Sequence, residues 1–392
     1  MRDAATSLAT LGLAAVLLTS AFIDLELALD LGPWHANAPV ADIAALAVLP
    51  LGLWTLRGGR GRPMPWLPWL ALCTAAALSL VNSANPVQGV HFVLRKVAFP
   101  GLAFGVGLAA LVSGRVPPRT TRTLLLAGLG LTAAVSLATS TGRLLAGNAL
   151  WWSRIAGLTP NHKTLAVALA GALPLALGIA TGATGRERTA ARAMSALALA
   201  AIGLSMSKAA WLGAAVGIGW FVPRARPISA RPALLVPALV LGLGLLTALP
   251  LVSGSRAMLD AARSRHSLNK RAWSLFSRHP VLGSGAGAST EVEAVTFPDY
   301  RVNGVDAHGV AQKVGSELGL VGLGAWLWFT GSTGIALWRR REQVGAGVAW
   351  GCVGAFATLH VELLLSTETF SSTHWAPLAV AWGLAHAEEE AP

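Results

Sequence analysis

The sequence predicts an all-α polytopic membrane protein of about twelve transmembrane helices. Three observations predict it. Apolar residues make up 54% of the 392-residue chain and charged residues 12%, about half the charged share of a soluble domain. Mean hydropathy is +0.58. Apolar runs close to the ~20 residues that cross a bilayer recur from end to end. No succession of short alternating strands is present, which excludes a transmembrane barrel.

In chain order, Met1, Arg2 and Asp3 precede an apolar run from about Leu8 to Ile23, read as an uncleaved first span over 7–29. Further spans are expected over 38–56, 66–82, 90–112, 123–141 and 163–183. Two short ones, 193–206 and 208–222, meet near Ser205–Lys208, where one hairpin and one broken helix both fit. Spans over 233–252, 309–338, 343–365 and 373–387 complete the set. The whole chain, 1–392, reads as one transmembrane domain. Trp34, Trp66, Trp69, Trp151, Trp152 and Trp375 fall near span ends, the usual place of interfacial anchors. Cys73 and Cys352 lie in apolar runs and imply buried thiols, with no disulfide framework.

Charge sets the orientation. The net charge of +12 is not a nucleic-acid signature, because most of it sits in short loops between apolar runs. Every second loop is basic: Arg57, Arg60 and Arg62; Arg115, Arg119 and Arg122; Arg186, Arg188 and Arg192; Arg224, Arg226 and Arg231; Arg339, Arg340 and Arg341. All fall on one side of the predicted topology, with Arg2 and the Glu388–Glu390 tail. The positive-inside rule makes that side cytoplasmic, with both termini there.

One long interruption remains, 253–308, and it faces the periplasm in this topology. It opens with Arg256, Arg263, Arg265, Lys270, Arg271 and Arg278, narrows through His279-Pro280 and Gly283, Gly285 and Gly287, and closes at His308. The glycines lack a preceding strand and the G-x-G-x-x-G spacing, so they mark a sharp turn and not a dinucleotide site. Arg95, Arg154, Lys163 and Lys208 lie near span ends on the same outer side. Snorkelling to lipid phosphates explains any one of them. Several cations at that depth also suit a phosphate-bearing ligand, which guanidinium groups grip bidentately. His308 stands where the loop re-enters the membrane, and a neutral imidazole there is a candidate general base. Lys313 and Glu317, four apart on the following helix, neutralise each other. His162, His266, His279, His360 and His374 show no metal-ligand spacing.

At these residues the sequence resembles the O-antigen ligase and polymerase family. Arg154-Ile-Ala-Gly-Leu158 is similar to its R-x-x-x-L, and Ser207-Lys208-Ala-Ala-Trp211 to its S-R-x-x-W with Lys in place of Arg. Ser264-Arg265 through His279-Pro280 to Gly283 and Gly285 resembles its basic segment ending in H-P-x-x-G-x-G. His308, ten intervening residues and Gly319 resemble its H-x10-G signature. Gly309 stands where the family often has Asn, and Asn269 where Trp is common.

The resemblance implies a GT-C-like helical glycosyltransferase of the bacterial inner membrane, active on the periplasmic side. It implies a glycan donor on undecaprenyl pyrophosphate and a lipid A–core acceptor, with no cofactor, metal or nucleic acid. Arg154 and Arg265 would hold the pyrophosphate, with Lys208, Arg271 and Arg95 as further candidates and His308 as the catalytic base. A polysaccharide polymerase using a second lipid-linked repeat is the alternative within the family. A transporter of polyprenyl-linked glycan is the alternative of another class. Transporters favour paired halves and midplane charges, whereas here the functional-looking charge, Arg95, Arg154, Lys163, Lys208 and the long-loop set, lies on the outer side.

Overall fold

The computed structural model describes residues 2–20, 26–30, 35–147, 162–205, 207–221, 256–288, 295–296, 301–302, 309–342, 346–365 and 371–387. It is a multi-helix, all-α membrane architecture with two small accessory ladders. Helix α1 spans Arg2–Ser20 and α2 Val40–Arg57, with the antiparallel pair β1 (Glu26–Asp30) and β2 (His35–Pro39) between them. Helix α3 is Trp66–Ser79. Helix α4, Pro86–Phe92, runs on through π-helical stretches Val93–Ala98 and Gly101–Leu108 into α5, Ala109–Gly114. Then come α6 (Pro118–Leu145), α7 (His162–Gly182), α8 (Gly185–Ser205) and α9 (Lys208–Phe221). The basic segment forms α10, Arg256–Arg278, followed by the short pair β3 (Val295–Thr296) and β4 (Arg301–Val302). Helices α11 (Val310–Arg340), α12 (Ala346–Leu365) and α13 (Ser372–His386) end the chain.

Six helical stretches among the described residues are long and apolar enough to cross a bilayer: Val40–Arg57, Pro86–Gly114, Pro118–Leu145, Lys163–Gly182, Val310–Arg340 and Gly347–Leu365. The first helix ends at Ser20, short of the expected 29. The expected span 233–252 lies outside the described residues.

Small residues let the helices approach closely, as membrane helices do when lipid is as apolar as leucine. A Cβ on Gly178 would meet the Gly347 carbonyl oxygen at 2.5 Å, and one on Gly351 the Pro174 carbonyl oxygen at 2.7 Å. Gly213 and Gly217 of α9 lie on Thr358 and Gly354 of α12 in the same way. The order of these pairs makes α7 and α9 both antiparallel to α12. A two-residue link joins α7 to α8, and the two pack together as a hairpin. The chain therefore reverses at Ser205–Lys208, yet α9 packs mainly on α7 and α12 and little on α8. The Trp211 indole closes the reversal by donating to the Ile202 carbonyl at 2.8 Å.

The two π-helical stretches flank Pro100, whose missing N–H disrupts the i to i+4 ladder. Gly101 there lies directly on the Trp69 indole. Trp69 and Trp375 are not the interfacial anchors the sequence suggested. Both are buried, with ring centroids 4.9 Å apart and Phe329 edge-on to Trp69 at 5.5 Å. Trp66, by contrast, is exposed.

The basic loops gather at one end of the bundle. The Arg62 amide donates to Ser113 Oγ at 2.8 Å, and the Trp382 indole to the Arg62 carbonyl at 2.9 Å. Arg122 pairs with Glu187 at 3.5 Å, and His386 lies in the field of Arg340 and Arg62. The loop group Arg224, Arg226 and Arg231 lies outside the described residues.

Candidate functional site

The opposite end of the bundle is built on a break in α11. Gly319 has φ 66° and ψ −162°, a conformation essentially reserved for glycine. A helix broken there strands amides and carbonyls, which need other partners. The turn after α10 supplies them. The amides of Ser284 and Gly285 donate to the carbonyls of Ser316 and Glu317, at 2.9 and 3.1 Å. The amides of Leu320 and Val321 donate to the carbonyls of Pro280 and Val281, at 2.8 and 3.2 Å. So His279–Gly287 is inserted into the break, and the two glycine signatures of the sequence are halves of one unit.

The turn is sharp because Gly283, Gly285 and Gly287 all have positive φ: 74°, 109° and 81°. On its other side it is clamped by the end of α3 and the 3-10 turn Leu80–Asn82. Asn82 Nδ2 donates to the Gly283 carbonyl at 2.8 Å, and the Ala286 amide donates to Ser79 Oγ at 3.0 Å. Gly287 lies against Phe92 of α4.

Beneath the turn sits a buried ion pair. Lys313 Nζ is 3.5 Å from Glu317 Oε1, with the side chains 2% and 1% exposed. The ammonium also lies 4.9 Å from the Phe92 ring centroid. The charge neutralisation read from the sequence is thus present, inside the protein. Helix α10 packs on α11, with Phe276 3.9 Å from where a Gly315 Cβ would lie, and Leu268 and Ala272 of α10 are buried.

Three of the expected cations are described, all at this end of the bundle. Arg271 is half-buried on α10. Arg95 is half-buried one turn after Phe92, and with Lys96 acts electrostatically on Asp42 of α2. Lys208 is exposed as the first residue of α9, whose antiparallel packing on α12 puts it at this end. Arg265 lies on α10, and its side chain is outside the described residues. Arg154 and His308 are outside them as well. Gly309, bonded to His308, is described: it packs on the last turn of α12, where a Cβ would come within 2.6 Å of the Leu364 carbonyl oxygen. Among the described residues, no group of three or more His, Cys, Asp and Glu side chains could hold a metal ion.

Sequence reading missed three features here: the insertion of the turn into α11, the Asp42–Arg95–Lys96 group, and the half-buried His360 of α12 beside the buried His374 of α13. The paired glycine signatures carried a signal for the first. Contacts between residues so distant in sequence left none for the other two.

The described residues define a polytopic helical membrane protein with arginine-rich loops at one end and a broken-helix junction, flanked by cationic helices, at the other. Over residues 193–327 the chain carries a domain matched by the O-antigen ligase family model. That range holds α8 from residue 193 onward, all of α9 and α10, the glycine turn and the break at Gly319; Arg95, Arg154 and the last two helices lie outside it. No curated protein matches the chain.

Proposed function

We propose that the protein is a twelve-span, GT-C-like glycosyltransferase of the bacterial inner membrane that ligates O-antigen to lipid A–core on the periplasmic side. The observation that carries this reading is the interlock of the H-P-x-x-G-x-G turn with the Gly319 break, inside the matched domain and at the end of the bundle opposite the basic loops. By the positive-inside rule those loops are cytoplasmic, so the junction faces the leaflet where a lipid-linked donor is presented.

In this mechanism Arg154 and Arg265 hold the donor pyrophosphate, with Lys208, Arg271 and Arg95 adding positive charge around it. His308 takes the proton from the acceptor hydroxyl as its oxygen attacks the anomeric carbon. The bond to undecaprenyl pyrophosphate breaks, and the departing phosphate carries the electron pair without a general acid. Cations placed where that charge develops lower the barrier. One base and no protein nucleophile make the displacement direct and inverting, unlike the two-carboxylate retaining scheme. The step requires no metal.

The test is expression in cells that lack an O-antigen ligase but make both substrates. Long glycan on lipid A–core supports the proposal. A changed distribution of repeat lengths, with core left bare, points to the polymerase reaction instead.

A further inference from the structure

Helix α10 has two unlike faces. Leu268 and Ala272 are buried, and Phe276 packs toward Gly315 of α11. Asn269, Lys270, Trp273 and Ser277 are exposed, at the three- and four-residue spacing that shares one side of a helix. Arg278, at its end, is exposed as well. Trp273 is 68% exposed. Its indole leans on the Phe276 ring, with centroids 5.5 Å apart, so it stands out from the helix on a packed base. Lys270 and Arg278 form no ion pair among the described residues.

What covers this face follows from α11. Past the break, Leu320, Leu327, Trp328 and Ile335 are exposed on a helix long and apolar enough to cross a bilayer, and their spacing makes one apolar stripe. On a membrane span such a stripe faces lipid chains. The stripe does not stop at Leu320. The Val321 amide donates to the Val281 carbonyl at 3.2 Å, and Val281, 58% exposed, carries the apolar surface onto the turn that follows α10. The lipid that covers α11 therefore reaches the end of α10. An exposed tryptophan and unpaired cations begin where the apolar surface ends. That order matches the lipid–water boundary, where indoles sit at headgroup level and Lys and Arg meet phosphate.

We propose that α10 is seated in the headgroup layer of the leaflet opposite the basic loops, with Trp273 anchored between headgroups and Lys270 and Arg278 against lipid phosphates. The partner is the phospholipid surface itself. The glycine turn is bonded to the end of α10, the Gly283 amide donating to the His279 carbonyl at 2.8 Å. The seat therefore fixes the depth of the junction, whatever reaction occurs there.

The test uses the full chain in phospholipid nanodiscs. In a variant lacking Cys73 and Cys352, Asn269→Cys carries an NBD fluorophore one turn from the intact Trp273. Leu327→Cys, labelled in the same way, is the reference for the bilayer interior. Lipid with a headgroup nitroxide should quench the label at 269 more strongly than lipid with a nitroxide deep in its chain, and the order should reverse at 327. Adding Trp273→Ala should cut the headgroup quenching at 269 at least about twofold, while Trp273→Tyr, which keeps an amphipathic ring, should retain it. Quenching at 269 by aqueous iodide and not by lipid would put α10 in water and overturn the proposal. A label shielded from both, as a second copy seated on α10 would leave it, overturns it too, as does headgroup quenching indifferent to Trp273→Ala. The ligase assay is independent of all of these outcomes.

Discussion

Gly283 and Gly319, thirty-six residues apart, face each other so closely that neither has room for a Cβ. A Cβ on Gly319 would come within 2.5 Å of the Gly283 amide nitrogen, and one on Gly283 would run into the peptide between Glu317 and Leu318. Gly319→Ala should therefore cost at least about 3 kcal/mol, from strain at a glycine-only conformation together with the clash. Gly324→Ala, on the same helix with nothing within 4 Å of a Cβ, should change stability by no more than about 1 kcal/mol. Thermal unfolding in detergent measures both. Equal melting temperatures for the two variants would mean that the break at Gly319 is not a rigid element.

Lys313 and Glu317 provide a second test. Removing one partner of a buried pair leaves an uncompensated charge and costs about 3–5 kcal/mol, whereas replacing both with apolar side chains is often neutral. Lys313→Met alone should unfold at markedly lower denaturant, and Lys313→Met with Glu317→Leu should recover most of the loss. A double variant no better than the single would show that the pair holds α11 through something other than mutual neutralisation.

Much of this was legible in the sequence. Apolar runs located the described helices other than α10, which the sequence showed only as a basic interruption, because burial in lipid leaves a mark on every residue. The alternation of basic loops anticipated the gathering of Arg62, Arg122 and Arg340 at one end. Lys313 and Glu317 were legible because a helix places residues four apart on one face. The insertion at Gly319 was not, since nothing in a local window says which distant segment completes a broken helix. Trp69 and Trp375 misled for a related reason: an aromatic side chain near a span end packs inward or outward according to neighbours that the local sequence does not name. His374 was visible only as one histidine among nine; its burial depends on how α12 and α13 meet.

The orientation can be read chemically. In a variant lacking Cys73 and Cys352, a cysteine placed at Ser277, exposed near the end of α10, should react with an impermeant maleimide added outside spheroplasts. A cysteine at Arg60 should react only after the membrane is opened. The reverse pattern would place the junction in the cytoplasm and exclude a periplasmic transferase.

The cations should act on binding. Each charge-assisted contact to phosphate contributes about 1.5–3 kcal/mol, so Arg154→Ala and Arg265→Ala should weaken donor binding roughly 10- to 150-fold. Lys208, Arg271 and Arg95 variants should show smaller losses. Calorimetric titration with an undecaprenyl-pyrophosphate glycan distinguishes them, and an unchanged Kd for Arg154→Ala would remove that residue from the site.

The most direct measurement is turnover by purified His308→Ala, alongside the wild type, with lipid-linked glycan donor and lipid A–core acceptor. A general base contributes about 10²–10⁴-fold, so the variant should bind donor as tightly as the wild type while its turnover falls by that factor. Near-normal turnover by His308→Ala would contradict the account at its centre.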